Sequence, residues 1–128
     1  MNQKQRRSPF GRAIGLGSAK AGVENWWNER VAAVALVLPT LWFVGSIIRH
    51  SASDYTAFVT WLKMPFVTFM MALLLIALFY HTALGLQVVV EDYLHSAVKI
   101  PTLILVRLGS FVFAAAGILA VLRIAFLS

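Results

Sequence analysis

His81 lies within the longest uncharged run of this chain, Met64 to Val90, and Asp92 and Tyr93 follow it 11 and 12 positions later. At about 100° and 1.5 Å per residue, 11 helical steps return to within roughly 20° of the same face and cover roughly 16 Å. A helix here sets an imidazole inside a bilayer, in line with a carboxylate at the membrane surface and with a phenol on the adjoining face. Ionisable groups at such depth are costly and mark functional sites by default.

Two chemistries fit these residue types. An axial histidine commonly holds haem iron, and a low-spin electron-transfer haem needs a second strong ligand. Ala83 and Gly85 are small residues close to His81, of the kind that let a flat macrocycle or another backbone approach a helix. His50 falls in the first external loop and His95 at the opposite surface, so neither can oppose His81 across one haem. A second ligand would come from another subunit. The alternative is that His81 only hydrogen-bonds a neighbouring helix. For Asp92 and Tyr93 the functional reading is a quinone-head site, where a phenol donates to a carbonyl and the carboxylate relays protons. The plainer reading is a solvated helix end, Glu91, Asp92, His95 and Lys99, with Tyr93 as an interfacial aromatic.

The elements that position these groups follow from composition. Of 128 residues, 60% are hydrophobic and 12% charged, and three apolar stretches each reach the roughly 20 residues that cross a bilayer. The expected fold is an all-α membrane protein with three transmembrane helices. The spans fall at about residues 29–48, 65–92 and 102–126, within a single membrane-anchor domain, 29–127, preceded by a cytoplasmic N-terminal arm, 1–28. Gly11 to Gly22 reads as a flexible arm skimming the membrane, and Trp26 and Trp27 as interfacial belt residues. Pro39 is expected to kink the first span. Thr56 to Lys63 is expected as a short interfacial helix. Pro65 and Pro101 mark the starts of the second and third spans, and Arg107 and Arg123 are expected to snorkel to the membrane surfaces.

The net charge of +6 reports topology rather than nucleic-acid binding. Lys4, Arg6, Arg7, Arg12, Lys20 and Arg30 all precede the first apolar run, with no aromatic platform to stack bases. That bias places the N-terminus in the cytoplasm and the C-terminus in the periplasm. A cleaved secretory signal is not expected, because the first apolar run starts only at Val31 and is too long. Cysteine is absent, which excludes thiolate ligands and disulfides.

The segment His81-Thr-Ala-Leu-Gly-Leu-Gln-Val-Val-Val-Glu-Asp-Tyr-Leu-His95 resembles the second transmembrane helix of the small D-type anchor protein of bacterial succinate dehydrogenase, respiratory complex II. The stretch Gly15 to Lys20, with Trp26, Trp27 and Arg30 entering the first span, resembles the alphaproteobacterial form. The resemblance implies that His81 is the axial ligand this anchor gives to a haem b, making it the metal-binding residue, with the opposing histidine from the C-type anchor protein. It implies that Tyr93 hydrogen-bonds ubiquinone and that Asp92 assists proton delivery. Arg30 aligns with an arginine near a haem propionate, with a snorkelling, topology-setting charge as the other reading. His95 and Arg107 receive no role from it beyond surface exposure and headgroup contact.

The implied protein is a non-catalytic subunit in the bacterial inner membrane. It would pack with the C-type anchor into a six-helix haem-binding bundle and dock the iron–sulfur and flavoprotein subunits of the tricarboxylic acid cycle enzyme. It would carry electrons from succinate to ubiquinone, with membrane lipids as its surroundings and no nucleic acid. The chain has no dinucleotide fingerprint of its own, so flavin chemistry would belong to partners. Two other readings stand beside it: a haem-free anchor of a related fumarate reductase complex, and a small transporter with a proton path through His81 and Asp92.

Overall fold

The computed structural model describes residues 19–128, with side chains from residue 22 onward; the part of the expected arm before residue 19 lies outside the described residues. The described chain forms four helices: α1, Ala19–His50; α2, Tyr55–Leu62; α3, Pro65–Tyr93; and α4, Lys99–Leu127. Three of them are long and apolar enough to cross a membrane, over Gly22–His50, Pro65–Tyr93 and Lys99–Leu127. At about 1.5 Å per residue, the 29 residues of α3 or of α4 extend about 44 Å, beyond a hydrocarbon core of about 30 Å.

α1 begins ten residues earlier than the span expected from Glu29, so Ala19 to Gly22, expected in a flexible stretch, and the residues up to Asn28 belong to the helix. Local chemistry accounts for the difference. No proline interrupts the stretch, and the Arg30 guanidinium sits over the Trp26 ring one turn back, 5.4 Å from its centroid, a cation–π contact that favours helix at that spacing. Helix assignment also runs through Pro39, whose missing N–H removes one intrahelical bond.

α2 is the short helix expected over Thr56 to Lys63, and its start is set by a cap. The Asp54 carboxylate accepts the Ala57 N–H at 2.8 Å, satisfying one of the donors a helix start leaves open. Trp61 then reaches back into the bundle and is 8% exposed. His50 stacks on it at 4.5 Å between centroids and Trp42 at 6.2 Å, so α2 is held against the C-terminal end of α1. Thr68 joins α2 to α3 by donating to the Leu62 carbonyl at 3.0 Å and to the Met64 carbonyl at 3.2 Å.

Pro65 occupies the first turn of α3 as expected. α4 starts at Lys99, three residues before the expected Thr102, because Pro101 lies within the first turn, where its missing N–H has no intrahelical acceptor to lose. α3 is the central helix: α1 and α4 both pack along it, and α2 contacts α3 and α4. Phe79 stacks on Phe113 with ring planes 12° apart. Glycine permits a close approach at Gly117, where an added Cβ would lie 3.1 Å from Leu75 Cδ1.

Little of this surface is buried within the chain. No residue of α4 is fully buried, and large apolar side chains such as Leu105, Phe111 and Phe126 are exposed. In a soluble protein that surface would drive aggregation, whereas in a membrane it suits contact with lipid.

The Gly117 contact gives a stability prediction. Gly117→Leu is expected to overpack the α3–α4 seam and lower stability by about 1–3 kcal/mol, measured as thermal unfolding in detergent. Gly109→Ala, at a position with open space around its Cα, is expected to leave the transition nearly unchanged.

Candidate functional site

The sequence-predicted residues all lie on or beside α3, and their environments differ. His81 is half-buried. Its Nδ1 is enclosed and has no hydrogen-bond partner among the described residues. His50 provides an internal contrast, because its Nδ1 donates to the Ser46 carbonyl one turn back at 2.9 Å. That backbone bond is the standard local way to satisfy an imidazole in a helix, and His81 does not use it.

An enclosed ring nitrogen without a partner costs free energy on the order of 1–3 kcal/mol. That nitrogen is closed off by the chain's own atoms, so a metal or a neighbouring chain would have to meet the ring at Nε2. Space for such a group exists beside it. Gly85, one turn further along α3 and within about 40° of His81 around the axis, has nothing within 4 Å of a Cβ built on it. The residues present therefore fit a haem ligand supplied by His81 through Nε2. Among the described residues, no three His, Asp or Glu side chains gather to hold a metal ion by themselves.

Asp92 and Tyr93 stand at the end of α3, both exposed, Tyr93 at 81%. Asp92 lies on the His81 face and Tyr93 about 120° around from it. Arg30 is exposed and engaged with Trp26. The neighbouring Glu29 lines a cavity of about 270 Å³ together with Asn25, Trp26, Gln87 and Glu91, which places the start of α1 beside the last three turns of α3. His95 is exposed beyond the helix end.

Sequence reasoning missed a polar chain across the α3–α4 seam. Arg107 Nη2 donates to Gln87 Oε1 at 2.9 Å, and Gln87 Nε2 donates to Glu91 Oε1 at 2.9 Å. The amide thus joins a guanidinium on α4 to a carboxylate on α3 without direct contact between the charges. Arg107 was expected only to snorkel, and here it also ties two spans together. The available signal was the four-residue spacing of Gln87 and Glu91, a pairing known to stabilise helices; the contact with α4 depends on tertiary register.

Three helices long and apolar enough to cross a membrane define a multi-pass membrane protein. Comparison with known proteins gives the family. The model of the succinate dehydrogenase/fumarate reductase transmembrane subunit matches residues 4–122. The succinate dehydrogenase hydrophobic membrane anchor subunit of Rickettsia bellii is 35% identical over 90% of this chain and 93% of its own length. The protein of the same name from Paracoccus denitrificans is 27% identical over 91% of this chain and 90% of its own. The chain belongs to the succinate dehydrogenase/fumarate reductase transmembrane subunit family. No solved structure matches it significantly.

The Gln87 bridge is testable by a double-mutant cycle. Gln87→Leu and Arg107→Leu are expected to be coupled by about 0.6 kcal/mol, with an upper bound of about 1.7 kcal/mol, in thermal unfolding of the detergent-solubilised protein. Strict additivity would show that the bond contributes nothing to holding α4 on α3.

Proposed function

We propose that this chain is the D-type membrane anchor of a succinate dehydrogenase, giving His81 to a haem b and Tyr93 with Asp92 to a ubiquinone-reduction site. The observation that carries the reading is His81 itself, an enclosed imidazole with an unpartnered nitrogen, on the helix face that also carries Gly85 and Asp92. The partner that completes the haem site is the C-type anchor protein, and the two chains form the six-helix bundle. The iron–sulfur and flavoprotein subunits dock on the cytoplasmic side of the bacterial inner membrane, where the N-terminus also lies, and the C-terminus lies in the periplasm.

When bound, the haem supplies one-electron redox chemistry, and its electronics respond to the axial ligand and its surroundings. This chain's own residues position and protonate. His81 would hold the haem iron from the middle of α3. Arg30, the twelfth residue of α1, would be the cation for a propionate after leaving its place over Trp26.

Tyr93 donates its phenolic proton to a quinone carbonyl, which orients the ring and polarises it for reduction. Asp92, its neighbour in the chain and likewise exposed, resupplies protons from the aqueous side. Two protons must reach the quinone with two electrons, and a phenol beside a solvent-facing carboxylate provides a short path for them. Placing both at the helix end keeps the headgroup at the membrane surface and the isoprenoid tail in lipid.

The reading predicts a selective defect. Tyr93→Phe is expected to slow succinate:ubiquinone reductase activity by about a hundredfold, while succinate oxidation with a soluble artificial acceptor stays near the unmutated rate. Equal losses in the two assays would remove the quinone role and leave a structural one.

A further inference from the structure

Outside the His81 face, α3 and α4 enclose a second cavity. It has a volume of about 440 Å³ and includes Phe79, Tyr80, Ala83, Gln87, Arg107 and Phe111 in its lining, within the roughly 300–1,000 Å³ typical of ligand sites. Tyr80, Ala83 and Gln87 are turned by roughly 100–160° from His81 around the α3 axis, so this space is separate from the haem and quinone groups. Gln87, Arg107 and Ser110 give one part of its wall a polar character, Tyr80 adds a hydroxyl, and the other lining side chains are apolar.

Depth and charge decide what such a groove would take. Arg107 is the eighth residue after Lys99, about 12 Å along α4. If the roughly 14 Å by which the helix exceeds the hydrocarbon core is shared between its ends, Arg107 sits about 5 Å inside the core boundary. A guanidinium from that depth reaches the phosphate layer by snorkelling. Arg107 is exposed and spends one donor on Gln87, out of five in its planar fork. The Gln87–Glu91 bond holds the amide oxygen toward it, so the guanidinium is positioned at the groove mouth.

We propose that this groove binds one anionic phospholipid, its phosphate on the remaining Arg107 donors and one acyl chain along the apolar wall between α3 and α4. Basic pockets between transmembrane helices take lipid phosphates in this way, and the planar fork suits phosphate oxygens better than an ammonium would. A partner helix laid in the same groove would have to bring a buried acceptor for Arg107, whereas a phospholipid carries one at the right depth by its own construction. Gln87 is the positioning residue of the site.

The test uses the intact complex purified in detergent and stripped of lipid, then given phosphatidylglycerol with a photoreactive group on one acyl chain. Labelling is expected on peptides covering residues 76–84 and 111–114. Unlabelled phosphatidylglycerol is expected to compete about fivefold better than phosphatidylcholine, with inorganic phosphate ineffective. Arg107→Gln is expected to lower groove labelling about fivefold, and Arg107→Lys to keep more of it than Arg107→Gln. If Arg107→Gln fails to accumulate, the competition series on the unmutated chain decides. Equal competition by the two lipids, labelling unchanged in Arg107→Gln, displacement by inorganic phosphate alone, or groove peptides crosslinked only to another protein of the complex would each overturn the proposal.

Discussion

The packing of α3 between α1 and α4 is the constraint on which the rest of the structure depends. α1 and α4 both lie along α3, so the register of that helix sets the depth of every polar group in the membrane. His81, Gln87, Glu91, Asp92 and Tyr93 are all carried on it. A shift of one residue would rotate them together by about 100°. Devices at both ends resist such a shift. At the N-terminal end of α3, Trp61 stacks on His50 and Trp42, and Thr68 fastens the turn from α2. Toward the other end Gln87 accepts from Arg107 on α4.

Burial in this protein has a different meaning from burial in a soluble domain. Apolar side chains gain little by leaving lipid for each other, so helices associate through close packing and occasional polar bonds. Gly117 against Leu75 and Phe79 against Phe113 provide the packing, and the Arg107–Gln87 bond provides a polar tie. The extensive exposed apolar surface is consistent with a chain whose remaining contacts lie with lipid and other subunits. His81 expresses the same principle at atomic scale, because its Nδ1 has no partner among the described residues.

The sequence made the spans legible because bilayer thickness leaves little freedom in their length. The short helix α2 was legible from its apolar and aromatic content between two spans, and the start of α3 from Pro65. The beginning of α1 was not, since glycine and alanine before Trp26 suggest flexibility until the Arg30–Trp26 contact is seen. At the candidate site, the alignment of His81 with Asp92 follows from helical periodicity alone. The roles of Gln87 and Arg107 do not, because they come from different helices 20 positions apart and meet only through tertiary register. Family membership, from a match over residues 4–122, tells what kind of assembly the chain serves; the roles proposed for His81, Tyr93 and Asp92 come from the resemblance of their segment to the family, with their chemistry and placement in support.

The central claim is that this chain contributes half of a haem site and that the ligand is His81. The direct measurement is the reduced-minus-oxidised absorption spectrum, with haem content, of the assembled complex carrying His81→Ala. Ligation by His81 predicts a weakened or shifted haem band and a lower haem-to-protein ratio, partly restored by added imidazole. An unaltered spectrum with full haem content would contradict it.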